Sequence, residues 1–264
     1  MYSPFQLTKK YLKYYFTASN GKGHGVHSPF VFEFIKYVLN DKKEYSCYNS
    51  IEKIRKHLLE NSNIIEVEDF GAGSTVIKTK NRVVKSIAAS SLKSKKFSRL
   101  LFRIVQYYHK KSVLELGTSL GTSTAYLASA NNVSVTTMEG SKSIAQIARD
   151  NFSQLGLNNI DIIEGDFNNT LPVFLSANKN IDLVFLDGNH RKKSTLEYFE
   201  ALLLNASEET IFVFDDIHWS EEMEEAWEIV KQNQKVTLTI DLFFIGIVLL
   251  GKDFKAKQHF TIRF

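Results

Sequence analysis

The stretch LELGTSLGTSTAYLA, residues 114–128, combines apolar residues, glycines and hydroxyl residues in an order that could hold a ligand. A strand-like run leads into Gly117 and Gly121, and a helix-like segment follows at once. Glycines let the backbone turn tightly and approach a ligand, while the first turn of a helix offers free N–H donors. The next predicted strand ends at Glu139, whose carboxylate can accept both hydroxyls of a ribose. These features together predict a cofactor site. DFGAGS at 69–74 is not followed by a comparable helix-like segment and acidic strand end.

Two further stretches place acidic residues and a histidine where predicted strands end. LDGNHRK contains Asp187 and His190, and FDDIHWS contains Asp215 and Asp216. Ligands of α/β sheets bind at the carboxyl ends of the strands. Three carboxylates that converge there repel one another unless a proton, a hydrogen bond or a cation neutralises them. Oxygen ligands suit Mg²⁺, Ca²⁺ or Mn²⁺, so the three acids predict a divalent-metal site; the alternative is that no metal binds.

His218 and Trp219 follow the second acidic pair. We expect these two side chains to close a substrate pocket, and the alternative for Trp219 is a structural indole beside the helix that Ser220 can cap. The tyrosines and phenylalanines of the N-terminal helices are expected in the core.

The elements that position these residues alternate regularly from residue 112 onward. Short β-branched runs separated by helix-like segments predict βαβ units and a parallel sheet buried on both faces; the runs are SVLEL, VSVTTM, IDIIE, IDLVFLD and TIFVFD. VTLTID and FFIGIVLL then follow too closely for a helical crossover, which predicts an antiparallel hairpin. The predicted fold class is α/β: a Rossmann-like, doubly wound seven-stranded sheet with a terminal antiparallel hairpin and a helical N-terminal extension.

The N-terminal part of the chain differs from the rest in charge. Residues 1–110 carry 20 Lys/Arg and 8 Asp/Glu, whereas residues 111–264 carry 13 and 21. We expect residues 1–96 to form a basic, mostly helical lid or accessory region and residues 97–264 to form the cofactor-binding domain. The basic charge either attracts an anionic substrate or nucleic acid, or it draws the two parts of the chain together.

Composition narrows the class of protein. The hydrophobic fraction of 44% and the charged fraction of 23% are typical of a soluble globular chain. The single cysteine excludes an internal disulfide and a cysteine-rich zinc site. The longest apolar run, LFFIGIVLL, is far shorter than the ~20 residues of a membrane helix, and the first residues lack the apolar core of a signal peptide. We therefore expect a cytoplasmic protein without a membrane partner.

The loop and its flanks resemble the cofactor site of class I S-adenosylmethionine (SAM) dependent methyltransferases. Glu115 precedes the loop as in the E/D-x-G-x-x-x-G pattern of that class, where it faces the methionine ammonium. Asp166 of EGDF ends the third strand, where it would accept from the adenine amino group, and Phe167 would flank the ring. The alternative role for Asp166 is a helix N-cap, and the two roles can coexist. Cofactor contacts are thus expected from Glu115, Gly117, Thr118, Ser119, Gly121, Ser123, Glu139, Gly140, Asp166 and Phe167.

Residues 97–250 further resemble the metal-dependent catechol and caffeoyl-CoA O-methyltransferases. That resemblance implies a metal site at Asp187, Asp215 and Asp216, with aspartate in place of the family's asparagine at the last position. The family's catalytic lysine falls on His190, which can accept a proton near neutral pH without a depressed pKa. The whole chain resembles a bacterial methyltransferase family marked by GHGVHSPFVFEF and AKQHFTIRF, which implies no particular substrate.

The resemblance implies an enzyme that transfers the methyl group of SAM to a hydroxyl of a small molecule, with His190 and Asp187 catalytic and a divalent ion such as Mg²⁺ as a second cofactor. Two alternatives remain open. An RNA-modifying methyltransferase would use the basic region to hold phosphates. A SAM-binding regulatory protein would bind the cofactor without turnover. A homodimer is a further expectation.

Overall fold

A computed structural model describes residues 1–23, 27–68, 81–178, 180–251 and 256–264. The DFGAGS stretch lies outside the described residues. Within them the helices are α1 (Pro4–Thr17), α2 (Pro29–Glu33), α3 (Ser46–Glu60), α4 (Val84–Ser91), α5 (Lys95–Tyr107), α6 (Thr122–Ala128), α7 (Lys142–Leu155), α8 (Phe167–Ala177), α9 (Lys192–Leu203) and α10 (Glu221–Gln232). A π-helical turn, Phe34–Leu39, continues α2.

The strands are β1 (Ile64–Glu66), β2 (Asn81–Val83), β3 (Ser112–Leu116), β4 (Ser134–Glu139), β5 (Ile160–Glu164), β6 (Leu183–Leu186), β7 (Ile211–Asp215), β8 (Leu238–Asp241), β9 (Ile245–Leu249) and β10 (Gln258–Thr261). The five predicted βα strands and the predicted hairpin are all present, which confirms the α/β fold class. The count of seven was one too low, because β10 was not predicted.

The chain divides into two compact units. The middle unit spans Lys43–Asn178, and the terminal unit combines Met1–Lys42 with Lys179–Phe264. This division follows packing. The boundary expected between the accessory region, residues 1–96, and the cofactor-binding domain, residues 97–264, stays a prediction.

The middle unit contains three parallel strands in the order β3-β4-β5. Every residue of β3 after Ser112 is buried, as expected of a parallel strand covered on both faces. Helices α3 and α4 add a second core, in which Ile54 and Ile87 pack against Leu120 and Ile144. Leu120 belongs to the glycine loop, so this core fixes the loop that the sequence singled out.

The terminal unit contains five strands in the order β10-β8-β9-β7-β6. Strands β6 and β7 are parallel, and β9 returns antiparallel between β7 and β8. A Cβ on Gly246 of β9 would lie 2.7 Å from the Trp227 ring, so the small residue lets α10 pack on this strand. Ser220 caps α10 as predicted, accepting a hydrogen bond from the Met223 amide at 3.2 Å.

None of the helices in the described part of the chain combines the length and the hydropathy of a membrane-spanning segment.

Candidate active site

The glycine loop after β3 is held against the end of β4 by backbone hydrogen bonds. The amides of Gly117 and Thr118 both donate to the Met138 carbonyl, at 3.0 and 3.1 Å. The Gly121 amide donates to the Thr118 carbonyl and closes the turn. Ser119, at its centre, has a φ of 47°, a left-handed conformation that non-glycine residues seldom adopt. The loop is therefore a fixed turn and needs no ligand to organise it.

The packing and the conformation of Gly121 both require a glycine, and its approach to a ligand, which was also expected from the sequence, stays a prediction. Its φ is 82°, and a Cβ there would lie 2.6 Å from the Phe152 ring of α7. Ala148 of the same helix is 3.1 Å away. The glycine thus lets α7 pack directly under the loop, while Gly117, with a φ of 106°, meets the conformational requirement of the turn.

Glu115 on β3 is a fully buried carboxylate whose two oxygens differ in their hydrogen bonding. Oε2 accepts hydrogen bonds from the hydroxyls of Thr124 and Thr137, the latter at 2.7 Å. Oε1 is buried and has no hydrogen-bond partner among the described residues. Burial raises the pKa of Glu115 from 4.5 to about 7, against the opposing effect of the nearby hydroxyls. An unpartnered buried acceptor requires a donor, which a ligand ammonium would supply.

Glu139 at the end of β4 is oriented by two backbone amides. Its Oε2 accepts from the Ser119 amide at 2.9 Å, and its Oε1 accepts from the Ser141 amide at 3.0 Å. Burial raises the pKa of Glu139, while these amides lower it. The carboxylate is thereby tied to the glycine loop. Each oxygen keeps a second lone pair that can accept a hydroxyl.

Asp166 follows β5 and has the N-cap role that was one of its two predicted roles. Its side chain accepts a hydrogen bond from the Asn168 amide at 2.9 Å, at the start of α8. Phe167 is the first residue of that helix and is half-buried. The Gly165 amide before them donates to the Glu139 carbonyl, which joins the ends of β4 and β5. The capping role leaves other lone pairs of Asp166 able to accept a hydrogen bond.

The remaining predicted cofactor residues lie around the same loop. The Thr118 hydroxyl is buried against the Thr137 hydroxyl at 2.6 Å, so its side chain supports the loop. Ser123 is buried in the first turn of α6, and Gly140 is half-buried after β4. Sequence reasoning missed Ser91 at the end of α4, whose hydroxyl lies 2.8 Å from the Ser119 hydroxyl. No spacing signal could have connected positions 91 and 119.

In the terminal unit, Asp187, His190 and Asp215 form one group. They follow β6 or end β7, and each offers one ligand atom within 4.8 Å of the other two. His190 Nε2 lies 3.7 Å from Asp187 Oδ1, and Asp215 is almost fully buried. Two carboxylates and an imidazole fit a divalent cation such as Mn²⁺ or Zn²⁺ at least as well as Mg²⁺, because imidazole is the softer ligand. The same arrangement suits a histidine base whose imidazolium is stabilised by a carboxylate.

Asp216, the third predicted metal ligand, is outside this group of described residues. Its φ is 54°, a conformation that aspartate and asparagine both tolerate. Its amide donates to the Phe244 carbonyl at 2.7 Å, and its carbonyl accepts from the Trp219 amide. The backbone at this position therefore forms the turn after β7, and the structure places His190 rather than Asp216 beside Asp187 and Asp215.

His218 is held on both sides by carboxylates. Nδ1 lies 2.9 Å from Glu224 Oε1, and Nε2 lies 2.8 Å from Asp241 Oδ2. Burial lowers the pKa of His218, but the two carboxylates outweigh it and raise the pKa overall. The ring also stacks on Phe243 at 5.1 Å. These contacts give His218 partners on α10 and β8, and the substrate roles of His218 and Trp219 stay predictions.

Residues 114–217 match the family model described as a methyltransferase domain. The match begins within β3 and ends just after the acidic pair, so it covers the loop, Glu139, Asp166 and the group of Asp187, His190 and Asp215. The match identifies a methyltransferase domain over residues 114–217 of the chain. No curated protein matches the chain in sequence.

Solved structures of methyltransferases share the fold of this domain. A Bacillus cereus O-methyltransferase in complex with S-adenosylhomocysteine has 20% identity and a TM-score of 0.55, over 83% of this chain and 97% of that one. TomG, an O-methyltransferase from Streptomyces achromogenes in complex with SAM, has 17% identity and a TM-score of 0.56, over 79% and 91%. Podospora anserina PaMTH1 with bound S-adenosylhomocysteine has 15% identity and a TM-score of 0.56, over 81% and 100%. At these identities the likeness is one of fold.

Proposed function

We propose that this methyltransferase transfers the methyl group of SAM to a hydroxyl group of a small molecule. The observation that carries the proposal is the buried carboxylate of Glu115, whose open oxygen lies at the start of a fixed glycine loop tied to Glu139. Fold neighbours described as O-methyltransferases with SAM or S-adenosylhomocysteine support the choice of oxygen as the acceptor atom.

Three acidic residues of the middle unit would each bind a different part of SAM. Glu115 Oε1 would accept from the ammonium of the methionine part, which satisfies the one buried oxygen that lacks a donor. Glu139 would accept from the ribose hydroxyls, and its position is already set by the Ser119 and Ser141 amides. Asp166 would accept from the adenine amino group while it continues to cap α8. Each group is held by the protein beforehand, so binding requires little reorganisation.

The residues of the terminal unit would prepare the acceptor. Bound SAM supplies an electrophilic methyl group on a sulfonium. His190 would remove the proton of the acceptor hydroxyl as its oxygen forms a bond to that methyl carbon and the carbon–sulfur bond breaks. Asp187, 3.7 Å from the ring, would stabilise the resulting imidazolium. Alignment of the reacting atoms can itself lower the free-energy barrier of the reaction by ~7–11 kcal/mol.

A divalent ion is the second way in which this group could activate a hydroxyl. Asp187 and Asp215 would hold the ion, and His190 would then be a ligand, because an imidazole nitrogen that binds a metal cannot accept a proton. An ion at this position would lower the pKa of a bound hydroxyl. The two versions make opposite predictions about chelation.

The test is a methyl-transfer screen with labelled SAM over catechols, other hydroxylated metabolites and RNA, each with and without EDTA. Transfer to a small hydroxylated acceptor that His190→Asn reduces at least a hundredfold supports the proposal. Asp187→Asn should also lower turnover, and Asp161→Asn, at an exposed position on β5, is its matched surface control. Turnover that survives EDTA supports the base version, and turnover lost in EDTA and restored by Mn²⁺ or Mg²⁺ supports the metal version.

Two results would replace the proposal. Transfer to RNA alone, with binding that weakens steeply as salt rises, would make this an RNA-modifying enzyme. S-adenosylhomocysteine binding without transfer to any acceptor would favour the regulatory role.

A further inference from the structure

Helix α1 is anchored in the terminal unit by one of its faces. Tyr14 is buried, packs 5.3 Å from the Phe243 ring and donates a hydrogen bond to the Ile262 carbonyl. Lys10 forms an ion pair with Glu224 at 2.8 Å. Tyr2, just before the helix, donates to the same carboxylate at 2.7 Å. The orientation of α1 about its own axis is therefore fixed by contacts at both ends of its inner face.

The opposite face of α1 exposes large apolar side chains, contrary to the expectation that the aromatic residues of the N-terminal helices lie in the core. Phe5 is 79% exposed, Leu12 is 49% exposed and Phe16 is 76% exposed. At 3.6 residues per turn these positions lie within about 40° of one another around the helix axis. They form a single line along the helix, called here the outer stripe. Such a stripe on a fixed helix indicates a surface that something else covers.

The charged residues of α1 itself are all positive. Lys9 and Lys13 are exposed beside it, and the first 32 residues contain no Asp or Glu. At the C-terminal end of α1 the Arg263 guanidinium lies 4.4 Å from the centre of the Tyr15 ring, which adds a third cation near Phe16. A second copy of the chain is a poor partner, because a two-fold contact along the stripe would bring the two sets of lysines together.

We propose that the outer stripe of α1 docks on an anionic lipid surface. Phe5, Leu12 and Phe16 would enter the boundary between headgroups and acyl chains, and Lys9 and Lys13 would contact the lipid phosphates. Aromatic and leucine side chains flanked by lysines are the composition of helices that lie in the plane of such a boundary. The contact is peripheral, and it departs from the expectation of no membrane partner that composition gave. It is independent of the methyl acceptor.

The test is flotation of the full chain with vesicles of pure phosphatidylcholine and with vesicles that contain 30% phosphatidylglycerol (roughly the charge density at which lysine contacts become significant). We expect binding to the anionic vesicles only, weakened by 0.5 M salt. Phe16→Glu should reduce the bound fraction at least fivefold. Leu204→Glu introduces the same charge at a residue that is 80% exposed elsewhere in the terminal unit, and it should leave binding unchanged.

Circular dichroism and S-adenosylhomocysteine binding confirm that both variants are folded. Three outcomes would overturn the proposal: no binding to anionic vesicles, equal binding to neutral vesicles, or equal loss of binding in the Leu204 variant. A molar mass that doubles with concentration and returns to that of one chain in Phe16→Glu would instead assign the stripe to self-association.

Discussion

Replacing Glu115 by glutamine should separate the stability of the fold from its affinity for the cofactor. A carboxyl group whose pKa rises from 4.5 to about 7 on folding destabilises the protein by ~3 kcal/mol once it is fully ionised. The sign follows from the raised pKa. The destabilisation is absent below pH 4.5, and the protein loses stability progressively as the pH rises from there through 7. Glutamine has nearly the same shape and cannot ionise. The variant should therefore gain stability relative to the unmodified chain as the pH rises.

The magnitude can be read from denaturant unfolding at two pH values. Between pH 5 and pH 8 the stability of Glu115→Gln relative to the unmodified chain should increase by about 2 to 3 kcal/mol. Glu60→Gln, at an exposed position on α3, is the control for removing a carboxylate and should show no such trend.

Cofactor affinity should change in the opposite direction. A carboxylate with a pKa of about 7 is mostly ionised at pH 8 and mostly protonated at pH 6. If Glu115 binds the ligand ammonium, the affinity for S-adenosylhomocysteine should rise about tenfold from pH 6 to pH 8. Glu115→Gln should bind roughly 10- to 100-fold more weakly at pH 8 and show a flat profile, since it lacks a charged partner. Calorimetric titrations that gave equal affinities for both proteins would refute the proposed role of Glu115.

Three further predictions concern other residues. His190→Asn should lower kcat at least a hundredfold and leave S-adenosylhomocysteine affinity within twofold, measured by turnover and calorimetry; a matching loss of affinity would place His190 in cofactor binding instead. Gly121→Ala should cost about 2–4 kcal/mol in unfolding experiments, because its Cβ would meet the Phe152 ring at a left-handed position. His218→Gln should be less stable than the unmodified chain below pH 6.5, and the difference should shrink as the pH rises through the raised pKa of His218; a constant difference would contradict the carboxylate clamp.

The strands that carry the active-site residues were predictable because each is short, β-branched and bounded by polar residues. The predicted limits of SVLEL and IDIIE coincide with β3 and β5, and the close spacing of the last two runs correctly indicated the β8–β9 hairpin. Strand β10 was missed because Gln258–Thr261 alternates half-buried and exposed residues at one edge, without an apolar run. Its pairing with β8 joins positions about twenty residues apart, which local patterns do not reveal.

The reasons for particular residues were harder to predict than their positions. Gly121 was expected to serve the loop through its conformational freedom, but the ring that excludes a side chain there belongs to a helix about thirty residues away in sequence. His218 stands beside the acidic pair like a substrate residue. Its partners Glu224 and Asp241 come from α10 and β8, and only the folded chain brings them together. Sequence reasoning gives a catalytic or binding role to a side chain because it lies near a motif. Only its partners in the folded chain show whether that role or a structural one applies.

The same distinction explains why Glu115 is the most informative residue of the site. A buried carboxylate without a cation is unfavourable, and the hydroxyls of Thr124 and Thr137 both donate to the same one of its two oxygens. A purely structural role would be filled as well by glutamine, which can bond the same hydroxyls and has no ionisation to oppose folding. An ionisable group at this position does not stabilise the protein in the absence of a ligand. Its benefit arises when a positively charged donor reaches Oε1, and the ammonium of SAM is such a donor.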